Sequence, residues 1–155
     1  MNKKILIVED EALIAMSEVK MLEKYGHEAS AVYNPKEAIE EVKKGDIDLI
    51  LMDIDLGNDV MDGVDCAKEI SNMAEIPIIF LSSHADKETV EKTEKVTSYG
   101  YIVKNSGETV IITSIKMAFR LYEAYQKIKK EEESYRITLE SVGDAIISTD
   151  LNGTI

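Results

Sequence analysis

Short apolar runs alternate with amphipathic stretches five times along this chain, and few folds accommodate that alternation. A strand buried on both faces reads as a nearly unbroken apolar run. A helix carrying the chain back between parallel strands shows a period near 3.6. The pattern therefore points to a parallel sheet with crossover helices. Strands are expected over residues 4–8, 28–33, 48–53, 78–81 and 101–103, the third carrying the apolar run 49–52 and the fourth following Pro77. Helices are expected over residues 11–25, 35–44, 63–73 and 86–98. The first places Ile14, Val19 and Leu22 near one face and ends at Gly26. The second opens on a capping Asn34, a Pro35 with preset φ and an acid at Glu37, and stops at Gly45. The fourth is the weakest, because its threonines are poor interior helix residues. The fold class is read as α/β, a five-stranded parallel doubly wound sheet with an extended C-terminal helix.

That last helix begins near residue 108 and runs past the point where a fifth crossover helix would stop. Ile111, Ala118, Tyr125, Glu132 and Leu139 lie seven apart, as do Ser114, Leu121, Ile128, Tyr135 and Val142. Such a seam is that of a parallel helical dimer, with Ser114 and Glu132 as polar interruptions. The first part of the stripe can pack on the sheet, whereas beyond Tyr125 no core remains to cover it. A homodimer is expected through Ile111, Ala118, Leu121, Tyr125, Ile128 and Tyr135. After Ser141 the text changes again. Residues 145–149 read as a strand and Asn152-Gly153 as a hairpin turn, so the chain is expected to stop inside a further domain. The expected organisation is an α/β domain over 1–125, a coiled-coil-like helix over 126–140 and the start of another domain over 141–155.

A chain of 155 residues with 45% hydrophobic and 31% charged residues has room for one ordinary domain and an appendage. Its net charge of −12 repels nucleic acid and anionic lipid, so neither is an expected partner. No stretch is long and apolar enough to cross a membrane, and the first residues lack a signal-peptide core. The single cysteine, Cys66, cannot form an internal disulfide and reads as a small buried residue of a reducing compartment. The cytoplasm is the expected location.

In an open parallel sheet, ligands bind beyond the carboxyl ends of the strands. Here the first strand ends in Glu9-Asp10, the third in Asp53 and the fourth in Ser82, while the fifth leads into Lys104. Clustered carboxylates repel, and the usual remedies are a shared proton or a hard cation. Mg²⁺ suits oxygen ligands, and Mn²⁺ can substitute for it. A shielded Asp53 could then act as a nucleophile toward phosphorus, with the Lys104 ammonium and the Ser82 hydroxyl binding phosphoryl oxygens. Singly, these residues would read as a solvated acidic pair, a surface lysine and a capping serine; the constellation gives them meaning.

This set, in its order, spacing and element types, resembles the response-regulator receiver family over roughly residues 1–125. The resemblance implies a phosphoacceptor receiver module of a two-component phosphorelay, with phosphoryl transfer from a histidine kinase or phosphotransfer protein to Asp53. It implies Mg²⁺ held by Asp10, Asp53 and the backbone carbonyl of Asp55, with Glu9 acting through a water. It also implies switch roles for Ser82 and Tyr101, and places Asp55 and His84 beside the water that hydrolyses the aspartyl phosphate. The chain departs from the family at Asn105, where proline usually follows the lysine and the peptide is often cis. A non-prolyl cis bond costs ~3 kcal/mol, so a rearranged loop is expected there. The loop from Asp53 to Met61-Asp62-Gly63 is about two residues longer than usual and lacks its proline. Residues 134–155 resemble the opening of a PAS sensory domain, as in a hybrid sensor histidine kinase or a PAS-containing regulator. The segment itself reads as a phosphoacceptor rather than a turnover enzyme.

Rival readings are weaker. Asp53-Ile54-Asp55 has the Asp-x-Asp form of haloacid-dehalogenase-type phosphatases, but that motif expects a hydroxyl or branched residue at Gly57's place and lies on a first strand. A flavin-binding module would want a phosphate loop after the first strand, and none is there. A non-phosphorylated dimerisation module would leave the acidic pocket without a task. His27 reads as an exposed residue ahead of a strand.

Overall fold

The computed structural model describes residues 2–57, 61–83, 86–96 and 99–151, the stretch 138–151 by its backbone alone. Two compact units make up the chain, Met1–Phe119 and Arg120–Ile155. In the first, β1 (Lys4–Val8), α1 (Ala12–Lys24), β2 (Glu28–Val32), α2 (Pro35–Lys44), β3 (Leu49–Asp53), α3 (Gly63–Met73), β4 (Ile78–Ser82), α4 (Lys87–Glu94) and β5 (Gly100–Val103) alternate, followed by α5 (Glu108–Leu151). All strand pairs are parallel, in the order β2-β1-β3-β4-β5. The chain leaves β1 toward β2 on one side and returns to pair β3 on the other, so the reversal of strand order falls at the ends of β1 and β3.

Each strand feeds two cores, because successive side chains point to opposite faces. Leu6, Val8, Ile50, Met52, Ile78 and Phe80 pack on one face with Ala38 and Val42 of α2 and Val64, Ala67 and Ile70 of α3. Ile5, Ile7, Leu49, Leu51, Ile79 and Leu81 pack on the other with Leu22 of α1 and Ile112, Ile115 and Ala118 of α5. Every residue of β3 and β4 is buried, which explains their unbroken apolar text.

Local chemistry sets the helix starts. The Asn34 side chain accepts from the Glu37 N–H at 2.9 Å, and Glu37 accepts from the Tyr33 N–H at 3.1 Å. Asp62 and Asp65 form a reciprocal capping box at α3. Asp86 caps α4 by accepting from the Thr89 N–H at 3.2 Å. That helix ends at Glu94, short of the expected residue 98. Of its residues only Thr93 is buried, and the Thr93 hydroxyl donates back to the Val90 carbonyl at 2.7 Å, so little apolar contact holds a further turn.

Three other expectations change. His27 is half-buried rather than exposed, its ring 6.3 Å from that of Phe119, and burial lowers its pKa. Ala118 is buried within the first unit and Ile111 packs against the same core, so these two seam residues are occupied by the chain's own sheet. Residues 145–149, expected as a strand, are helical, since α5 runs to Leu151. A lone strand leaves its backbone groups unpaired, and continued helix satisfies them. The Asn152-Gly153 turn lies outside the described residues. In the second unit the helix shows Leu121, Tyr125, Ile128 and Tyr135 each more than half exposed. No helix among the described residues is long and apolar enough to cross a membrane.

Candidate functional site

Sheet pairing continues past the strand ends and holds the loops that carry the polar residues. Glu9 N–H donates to the Val32 carbonyl at 3.1 Å, Ile54 N–H to Leu81 at 3.0 Å and Lys104 N–H to Ser82 at 2.7 Å. These bonds bring Glu9, Asp10, Asp53, Ser82 and Lys104 to one edge of the sheet. Glu9, Asp53 and Ser82 are buried there, while Asp10 is exposed. One carboxylate oxygen from each of Glu9, Asp10 and Asp53 lies within 4.8 Å of the others. The Lys104 ammonium sits 2.9 Å from Glu9 Oε1 and 3.1 Å from Asp53 Oδ2. Asp55 donates its N–H to Asp53 Oδ1 at 3.2 Å, which orients the carboxylate.

The electrostatics follow from burial. Desolvation, reinforced by the hydrogen bond with Asp53, pushes the Glu9 carboxyl from 4.5 up to about 8, against the pull of Lys104. Burial draws Lys104 down, but Glu9 and Asp53 more than offset it, so its pKa is raised and the ammonium stays charged. Glu9 Oε2 is buried with no hydrogen-bond partner among the described residues. An acidic pocket short of positive charge, with an orphaned carboxylate oxygen, is chemically fitted to a hard divalent cation with oxygen ligands.

Tyr101 is partly buried against the α2/α3 core face, and Asp55 is exposed beside Asp53. His84 and residues 58–60 of the lengthened loop lie outside the described residues. After Lys104 the chain turns through Asn105 at φ 68°, with every peptide bond trans among the described residues. Proline, held near φ −65°, could not adopt that conformation, whereas asparagine is among the residues that tolerate it best. The turn closes with Ser106 Oγ donating to the Val103 carbonyl at 2.6 Å.

Two neighbours of the site carry weight that composition alone hides. Gly57, at φ 67°, lies so close to Asp10 that an added Cβ would fall 2.9 Å from Asp10 Oδ2. Glu18 lies on the inward stripe of α1, four residues from both Ile14 and Leu22, and that spacing is the signal that marks it. It borders a cleft of about 660 Å³ between α1, the Lys104-Asn105 turn and the start of α5. Its Oε2 is out of solvent with no hydrogen-bond partner among the described residues. Burial pushes this carboxyl from 4.5 up to about 7, with Lys104 opposing. A proton held more tightly in the folded state stabilises it fully below pH 4.5, and that stability is lost as pH rises toward 7. Glu18→Gln is therefore expected to flatten this loss and to raise stability at pH 8 by about 1–3 kcal/mol, read from urea unfolding at pH 5 and pH 8. Parallel pH profiles of the two proteins would refute it.

The response regulator receiver domain family matches residues 5–116. A solved N-terminal domain of a response regulator/sensory box/GGDEF three-domain protein from Carboxydothermus hydrogenoformans is 46% identical, covers 79% of this chain and 98% of its own, and superposes with a TM-score of 0.74. The signal receiver domain of a modulated diguanylate cyclase from Desulfovibrio desulfuricans is 30% identical over 81% of this chain and 99% of its own, also at 0.74. The transcriptional regulatory protein PdtaR of Mycobacterium tuberculosis is 29% identical over 140 residues, which is 90% of this chain and 67% of PdtaR. The match spans as little as 32% of another curated relative.

Proposed function

Because the chain belongs to the response regulator receiver family, as its match over residues 5–116 shows, we propose that it is the phosphoacceptor module of a two-component phosphorelay and that Asp53 takes the phosphoryl group. The observation that carries this reading is the buried Asp53 carboxylate, 3.1 Å from the Lys104 ammonium and grouped with Glu9 and Asp10. An Asp53 oxygen attacks the phosphorus of a phosphohistidine on a histidine kinase or phosphotransfer protein. A P–O bond forms and the P–N bond breaks, the imidazole leaving neutral because the other ring nitrogen of the phosphohistidine already carries a proton. Asp10, Asp53 and the Asp55 carbonyl would hold Mg²⁺ directly and Glu9 through a water. When bound, the ion supplies charge stabilisation to the transferring phosphoryl oxygens. Lys104 releases its carboxylate partners to bind one phosphoryl oxygen, and the Ser82 hydroxyl donates to another.

Ser82 and Tyr101 are the readout of the phosphorylated state in this proposal, and Asp55 and His84 tune its lifetime. The module acts in the cytoplasm, pairs with a second copy through its C-terminal helix and switches that helix. A sensory PAS domain beginning near residue 141 agrees with the name of the Carboxydothermus relative, which places a sensory box after its receiver. Labelling by acetyl phosphate should require Mg²⁺ and vanish in Asp53→Asn. Labelling that persists in that variant overturns the assignment.

A further inference from the structure

Lys104 belongs to two places at once. Its ammonium pairs with Glu9 at 2.9 Å and with Asp53 at 3.1 Å, and the residue also lines the cleft of about 660 Å³ that Glu18 borders from α1. Glu18 Oε2 is out of solvent there with no hydrogen-bond partner among the described residues, so the charge of Lys104 is what offsets its burial. We infer that Glu18 is a positioning residue for the proposed transfer: neutral, it leaves the Lys104 ammonium to the phosphoryl group; ionised, it competes for that ammonium and repels the phosphoryl charge. This rests on Asp53 as the acceptor and adds a group outside the metal-ligand set that makes phosphorylation depend on pH.

The surroundings of Glu18 decide which charges it feels. The helix itself contributes Lys20 and Lys24, the turn after β5 contributes Lys104, and α5 contributes Glu108, which holds Lys24 at 3.1 Å. The strands beneath α1 turn apolar side chains toward it, among them Ile5, Ile7, Leu49 and Leu51, and carry Glu9 and Asp53 at their ends. Lys104 and Asp53 are the two whose charges bear on the Glu18 carboxyl, the first favouring its ionised form and the second opposing it.

Phosphoryl transfer turns the single negative charge on Asp53 into roughly two. The added charge disfavours an ionised Glu18 for the same reason that the Asp53 carboxylate already does, so the phosphorylated state holds the Glu18 proton more tightly than the resting state. By reciprocity, the proton favours the phosphorylated state. That advantage is complete below the resting midpoint of about 7 and is lost as pH rises through the higher midpoint of the phosphorylated state.

Beryllofluoride is the probe, because it caps an aspartate carboxylate as a phosphoryl group does, brings one negative charge and binds reversibly. Its dissociation constant is measured by calorimetry on the full chain with Mg²⁺ present, at pH 6 and pH 8, for the native protein and for Glu18→Gln. Glutamine keeps the shape of the side chain and removes its titration, while Glu9 is common to both proteins and cancels from their ratio. The ratio of native to variant dissociation constants is expected to rise about fivefold from pH 6 to pH 8, the scale of one added charge acting within a protein. In carbon-13 spectra, the one glutamate carboxyl that Glu18→Gln removes should titrate near 7 and move to higher pH with the probe bound. A flat ratio, or a Glu18 carboxyl that titrates in the ordinary carboxylate range, overturns the inference while Asp53 remains the acceptor. A native chain that neither binds beryllofluoride nor takes label from acetyl phosphate overturns the acceptor reading and this inference with it.

Discussion

Replacing Lys104 with alanine is expected to slow phosphoryl acceptance by about 10²- to 10³-fold, the usual cost of losing a preorganised charge beside a reacting oxygen. The lysine is ion-paired at once with Glu9 at 2.9 Å and with Asp53 at 3.1 Å, so it offsets part of the pocket's negative charge and stands beside the proposed acceptor. Its removal should also push the Glu9 carboxyl still higher, since Lys104 is what lowers it. Metal binding to the native pocket must displace that Glu9 proton, so Mg²⁺ affinity should rise with pH up to about 8. In Lys104→Ala the rise extends to higher pH, and Mg²⁺ raises the melting temperature more than it does for the native chain. Acetyl phosphate kinetics and thermal melts with and without Mg²⁺ check both halves. A variant that accepts phosphate within threefold of the native rate would remove Lys104 from the reaction.

The second large effect is structural. A Cβ at Gly63 would lie 2.0 Å from the Asp53 carbonyl oxygen and 2.7 Å from the Ile54 Cα, and neither atom belongs to a side chain that can swing away. The Gly63 N–H also donates to the Ile54 carbonyl at 2.9 Å, so α3 starts pressed against the end of β3. Gly63→Ala must pry that helix off the strand that carries the proposed acceptor. The expected loss is about 3 kcal/mol or more, enough to lower the melting temperature by roughly 10 °C. Gly26→Ala serves as the comparison. Nothing lies within 4 Å of its added Cβ, so only the strain of φ 89° at the end of α1 remains, on the order of 1 kcal/mol. Equal losses at the two glycines would show that crowding at Gly63 is not the cause.

These two residues also show how far the sequence could be read. Lys104 was legible as a member of the pocket because strand ends of an open parallel sheet converge, and the five strands lie within a residue or two of the apolar runs that announced them. Its two ion pairs, with Glu9 and with Asp53, were not legible, because side-chain geometry depends on how the last strand is seated. Gly63 was legible as a helix start but not as a point of contact, since closeness of two backbones leaves no mark in periodicity. Glu18 was overlooked because an acid on a helix ordinarily belongs to the solvent face, and only its place between Ile14 and Leu22 contradicts that. The extent of α4 and the conformation of residues 145–149 were misjudged for a common reason. Each was inferred from local preference, whereas burial and backbone pairing decide where an element stops.

The pairing of the sheet carries a consequence for the order in which the molecule is made. β1 and β3 are neighbours, and both have left the ribosome once residue 53 is clear of it, whereas Lys104 follows about fifty residues later, a delay of several seconds at ordinary translation rates. During that interval Glu9, Asp10 and Asp53 can gather without their lysine. Until then water and dissolved ions are what screen the three acids from one another. β5 thus closes the sheet by delivering the ammonium last.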